Sequence, residues 1–102
     1  MKTNLVVNDY IVPLNDFTQN YIGNVLKGIV SALGHDSRQV TVNIDGTDLY
    51  IKTDKGDLSI MKDFTRLLIE STIKGILSPL KGVIWLQRIT ITCKEPDTQG
   101  DA

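Results

Sequence analysis

The chain contains an internal echo of itself. Aligned without a gap, residues 16–33 (DFTQNYIGNVLKGIVSAL) and 63–80 (DFTRLLIESTIKGILSPL) agree at nine of eighteen positions, among them Asp16/Asp63, Phe17/Phe64, Ile22/Ile69, Lys27/Lys74 and Gly28/Gly75. Self-similarity at a fixed separation is the mark of a repeated structural unit. Any fold for this chain therefore has to accommodate two equivalent segments.

Both segments read as helices. Ile22, Leu26, Ile29 and Leu33 follow the i, i+4, i+7, i+11 spacing, and Ile69, Ile73, Ile76 and Leu80 repeat it. At about 100° per residue these positions form one apolar stripe, widened in the first copy by Tyr21, Val25 and Val30. The opposite side of that copy carries Asn20, Asn24, Lys27 and Ser31. Asp16 and Asp63 stand where an N-cap or first-turn acid meets unpaired backbone N–H groups. Gly34 is placed to end the first helix, and Pro79 with Gly82 to close the second.

Strands flank the helices. Residues 38–45 (RQVTVNID) and 88–93 (RITITC) alternate apolar with polar side chains, the pattern of a sheet covered on one face. Asp45-Gly46 reads as a hairpin turn. Lys55-Gly56 and Asn8-Asp9 separate further short apolar runs, Tyr50–Lys52 from Leu58–Ile60 and Leu5–Val7 from Tyr10–Val12. The predicted fold is α+β: two tandem β-β-α-β repeats, about 1–46 and 47–94, giving a mainly antiparallel sheet with two helices on one face. If the opening hairpins fail to form, the pattern reduces to a ferredoxin-like βαββαβ arrangement. Residues 1–94 are expected to form a single domain and 95–102 a flexible tail. Gly28 and Gly75, at the edge of the stripes, suggest a close approach of the two helices.

Chemistry is thinly represented. With 11 Lys+Arg against 12 Asp+Glu the net charge is −1, so there is no basic excess to hold nucleic acid. The outward strand positions Gln39, Thr41, Asn43, Arg88, Thr90 and Thr92 offer no ring but Tyr50 on which bases could stack. One cysteine, Cys93, and one histidine, His35, are too few for a disulfide or most metal cages. His35-Asp36 is better explained by a helix C-terminus than by catalysis, and Cys93 by burial in the last strand. Lys27-Gly28 and Lys74-Gly75 lack the order of a phosphate loop and place their lysines on a solvated face. Asp45, Asp48, Asp54 and Asp57 follow turn chemistry rather than a calcium loop. No catalytic, cofactor-binding or metal-binding set is predicted.

What remains points to contact with other chains. Trp85 lies in the apolar stretch Val83–Leu86, and Trp is enriched where interfaces concentrate their energy. Leu67 replaces Asn20 on the polar side of its helix. Tyr50, Thr90 and Thr92 lie on an open sheet face suited to packing on a second sheet. The expectation is a small non-catalytic protein that forms homo-oligomers or binds a protein partner, with Trp85, Leu67, Tyr50, Thr90 and Thr92 at the interface. A small-molecule site between the two repeats, near Tyr21, Tyr50 and Gly28/Gly75, is the alternative. Leu5–Val7 is too short for a secretory h-region and no run suits a membrane span, so a cytoplasmic location is expected.

Overall fold

A computed structural model describes residues 1–46, 48–58, 60, 62–80 and 88–95. The period-two segments are strands and the 3.6-period segments are helices. In chain order the elements are β1 (Lys2–Val7), β2 (Tyr10–Val12), α1 (Asp16–Ala32), β3 (Gln39–Asp45), β4 (Asp48–Thr53), β5 (Gly56–Leu58), α2 (Asp63–Leu77) and β6 (Arg88–Lys94). The six strands make one antiparallel sheet in the order β2-β1-β6-β3-β4-β5. The chain is thus α+β. Both short strands, β2 and β5, are paired, so the reduced ferredoxin-like arrangement is not adopted.

The register of the sheet has a two-fold relation. Exchange β1 with β4, β2 with β5 and β3 with β6, and the strand order reads as its own reverse. The individual pairs follow: Leu5↔Ile91 becomes Ile51↔Val42, and Leu5↔Val12 becomes Ile51↔Leu58. Val42↔Ile91 maps onto itself, which puts the axis through the centre of the β3–β6 ladder. Even the turn contacts correspond, since Asn8 N–H donates to the Arg88 carbonyl at 2.8 Å and Asp54 N–H to the Gln39 carbonyl at 3.2 Å.

One sheet face carries the core. Leu5, Val7, Val40, Val42, Ile44, Ile51, Ile89, Ile91 and Cys93 are buried against Ile22, Leu26 and Val30 of α1 and Ile69, Ile73 and Leu77 of α2. Both helices therefore lie on the same side. Where Ile22, Val25 and Leu26 meet Ile73, Ile76 and Leu77 above Ile91, there is no room for a water molecule. The buried helical positions 22, 23, 26 and 30 recur 47 residues later as 69, 70, 73 and 77. Of the expected stripe, Ile22, Leu26 and Val30 are buried, Val25, Ile29 and Leu33 are half-buried, and Tyr21 faces outward.

The helix ends follow local chemistry. Asn15 is the N-cap of α1, its Oδ1 accepting from Thr18 N–H at 2.8 Å, with Asp16 in the first turn. At the other end Gly34, with φ of 90°, lets Gly34 N–H donate to the Ser31 carbonyl and His35 N–H to the Val30 carbonyl. This is the paired closure typical of a left-handed glycine after a helix. α2 ends at Leu77, before Pro79; Gly82 lies outside the described residues.

The glycine expectation is corrected. A Cβ built on Gly28 or Gly75 meets no heavy atom within 4 Å, so neither marks a tight helix contact. The close approach is at Gly23, where a Cβ would collide with Met1 Sδ and lie 3.0 Å from Thr3 Oγ1. There α1 rests on β1, and Thr3 Oγ1 donates to the Gln19 carbonyl at 2.7 Å. At the corresponding position of α2 sits Glu70, nearly buried, which accepts from Lys74 Nζ at 2.7 Å and Arg66 at 3.3 Å.

Candidate functional site

The residues with chemical potential are dispersed and mostly have structural work. His35 is exposed and its N–H serves the end of α1; the Asp36 carbonyl accepts from Lys55 Nζ at 2.5 Å. Cys93 is buried beneath α1, and desolvation pushes its thiol pKa up, which disfavours the reactive thiolate. Lys27 and Lys74 are not on a free solvated face. Lys27 pairs with Glu95, which also meets Arg38, while Lys74 pairs with Glu70. Glu95 N–H further donates to the Arg38 carbonyl at 2.9 Å; the rest of the expected tail, residues 96–102, lies outside the described set. Among the described residues, no group of three or more His, Cys, Asp or Glu is gathered in a way that could hold a metal ion.

One polar contact changes a titration. Ser37 is buried and its hydroxyl lies against both the Asp54 carboxylate and the Gln39 carbonyl. That hydrogen bond holds the Asp54 carboxyl below its ordinary value of 3.8. A depressed carboxyl stabilises the fold above its unfolded pKa, and the contribution fades as pH falls through the folded value. Because Asp54 is at the surface, solvent screening keeps the effect small. Ser37→Ala should raise the Asp54 midpoint, followed by carboxyl-carbon NMR, toward 3.8. The stability gap between variant and parent should close in the acid range. An unmoved midpoint would mean that Ser37 is not the cause.

The residues expected at an interface are divided between two surfaces. Tyr50, Thr90 and Thr92 are on the open sheet face, where Tyr50 is 61% exposed and Thr90 Oγ1 lies 2.8 Å from Asn43 Oδ1. That face is mixed: Lys2 lies beside Lys94 at one end of the strands and Asp45 beside Asp48 at the other, while exposed Ile11 sits opposite Val6 toward the β2 edge. Leu67 is exposed on α2, on the other side of the molecule. Trp85 lies outside the described residues.

The most distinctive surface is the outward side of the helix layer. Phe17 and Phe64 are each 73% exposed, Leu68 is 56% exposed and Tyr21 is 51% exposed. The rings of Phe17 and Tyr21 meet in a tilted arrangement, with centroids 5.9 Å apart and planes 37° from parallel. After Asp16 and Asp63, no exposed position of α1 or α2 carries a charged side chain; such positions hold Asn, Ser, Thr, Gly or Ala between the large apolar groups. The charged residues of the helices, Lys27, Arg66, Glu70 and Lys74, are all drawn into ion pairs in less exposed positions. Exposed patches of this kind usually mark contact sites.

A groove runs between the helices on this side. It has a volume of about 460 Å³, with Phe17, Thr18 and Tyr21 on one wall and Ser71, Thr72, Gly75, Ile76 and Pro79 on the other. The start of α1 thus lies beside the end of α2, which makes the helices antiparallel. Gly75 keeps the groove open because it has no side chain to fill it. The core junction beneath is closed where Ile22, Val25 and Leu26 meet Ile73, Ile76 and Leu77; among the described residues, the space between the helices lies on the outside, with Tyr21 and Gly75 but not Tyr50. The sequence carries a sign of this surface: Phe17, Tyr21, Asn24 and Gly28, like Phe64, Leu68, Ser71 and Gly75, form a second, uncharged stripe opposite the core stripe. No helix of the described residues is long and apolar enough to cross a membrane. Compared with protein-family models, with curated proteins and with solved structures, the chain matches none.

Proposed function

We propose that this is a non-catalytic protein built from two copies of a β-β-α-β unit, and that its role is contact with another protein chain through the outward side of α1 and α2. The observation that carries this is the face around Phe17, Tyr21, Phe64 and Leu68, on which the described helix residues carry no charge beyond Asp16 and Asp63 at the helix starts. Docking there removes apolar surface from water without desolvating an ion, the combination found in the cores of interfaces. The ion pairs beside it keep the helices' charges satisfied within the chain, so none has to be stripped of water on contact.

Gel filtration of freshly lysed cells, with the chain detected by antibody, tests the reading. The parent should elute well above 11.3 kDa and Phe17→Asp/Phe64→Asp should elute as a monomer. Both rings are largely exposed, so the variant should keep its fold. Identical monomeric elution of both proteins would remove the basis for the reading. A second reading, a small apolar ligand in the inter-helix groove, is favoured by the aromatic wall of Phe17 and Tyr21 and by the open floor at Gly75.

A further inference from the structure

The occupant of the helix face can be specified. We infer that it is a second copy of this chain, docked helix layer to helix layer about a two-fold axis, with Phe64 and Leu68 of each copy entering the partner's groove beside Gly75. This rests on the reading of the face as a protein contact surface, and it adds who the partner is and how it sits.

Three observations favour a second copy. The first is shape. A two-fold interface must be complementary to itself. Here the start of α2 bears the exposed pair Phe64 and Leu68, whereas the groove lies about nine residues further along the same helix, roughly 13 Å away at 1.5 Å per residue. An axis in the plane of the face, passing between these two places, sets each projection over the other copy's groove. Both contacts are made by the one operation.

The second is area. Aromatic side chains carry on the order of 150–250 Å² each, so Phe17, Tyr21 and Phe64 at their observed exposure present roughly 400 Å², to which exposed Leu68 adds. A standard interface needs about 800 Å² per partner. The Asn, Ser, Thr and Gly positions between the four supply the remainder, and they are small enough for two helix pairs to approach closely. The third is charge. A face whose described residues carry no ionic group beyond Asp16 and Asp63 offers nothing there to select an oppositely charged foreign partner, and these residues meet their own copy without like-charge repulsion across the centre.

The experiment uses the full chain. Sedimentation velocity from about 1 to 100 µM, a range across which a micromolar dimer dissociates, should show the parent as a dimer that dissociates on dilution. Leu68→Glu should weaken dimerisation at least tenfold. Gly75→Leu should do the same by filling the groove, and because its Cβ meets nothing within 4 Å and the groove beyond has a volume of about 460 Å³, the monomer's thermal midpoint should not fall. That pairing separates loss of docking from loss of folding. A parent that stays monomeric at every concentration overturns the inference.

To tell that failure from failure of the contact surface itself, the photo-crosslinker benzoylphenylalanine is placed at position 68 and irradiated in cells. An adduct of twice the chain's mass supports the second copy. An adduct with a different protein overturns the second copy and leaves the contact surface standing, and no protein adduct at all overturns both.

Discussion

Ile91→Ala is expected to cost about 2–5 kcal/mol of unfolding free energy, the range for removing a large aliphatic side chain from a tight core. At roughly 4–8 °C per kcal/mol for a domain of this size, the thermal midpoint should fall by tens of degrees at the upper end. The position is central in every direction. Ile91 is 1% exposed and lies between Leu5 on β1 and Val42 on β3 in the sheet. Ile22, Val25, Leu26, Ile73, Ile76 and Leu77 cover it, in a seam without space for a water molecule. The neighbours are held by two helices and three strands, so they cannot all move inward, and an apolar void stays dry. Urea unfolding followed by circular dichroism measures the loss. A cost below about 1 kcal/mol, the typical figure for an ordinary substitution, would show that the helix layer settles freely onto the sheet and that the packing is loose.

The glycines should respond to alanine with opposite signs. Gly56 opens β5 with φ of 123°, a conformation that side chains other than hydrogen rarely adopt. Gly56→Ala should therefore destabilise by about 1–3 kcal/mol. Gly28 and Gly75 sit in helix interiors, are exposed, and have no heavy atom within 4 Å of the place an alanine methyl would take. Gly28→Ala and Gly75→Ala should each stabilise by about 0.5–1 kcal/mol, the difference in helix propensity. The two sites lie on separate helices, and the gains should add. Denaturant midpoints in dilute solution report all three. A destabilised Gly28→Ala would mean that some group does approach that backbone.

The contrast between these glycines shows how much the chain reveals before it is folded. Gly28 and Gly75 recur in both segments, and recurrence looks like a shared steric need. The position under steric constraint is instead Gly23, whose counterpart is Glu70. The constraint at Gly23 comes from Met1 and Thr3, some twenty residues earlier, and no local pattern carries that information. Lys27 is a similar case. Its spacing puts it off the core stripe, but its partner Glu95 is 68 positions away and arrives only when β6 pairs with β3.

Local pattern was enough to prescribe the two helices, the strands with their inward and outward faces, and the helical character of both residues 16–32 and 63–77. Those properties depend on periods of 2 and 3.6 residues and on caps, all of which act over a few neighbouring positions. Folding in three dimensions was needed to put β6 between β1 and β3 with Val42 opposite Ile91, to send Tyr50 and Leu67 to opposite surfaces, and to gather Phe17, Tyr21, Phe64 and Leu68 on one uncharged face. Periodicity says which side of an element is apolar. It does not say which element comes to cover that side or leaves it bare, because that is settled by pairings between residues far apart in the chain.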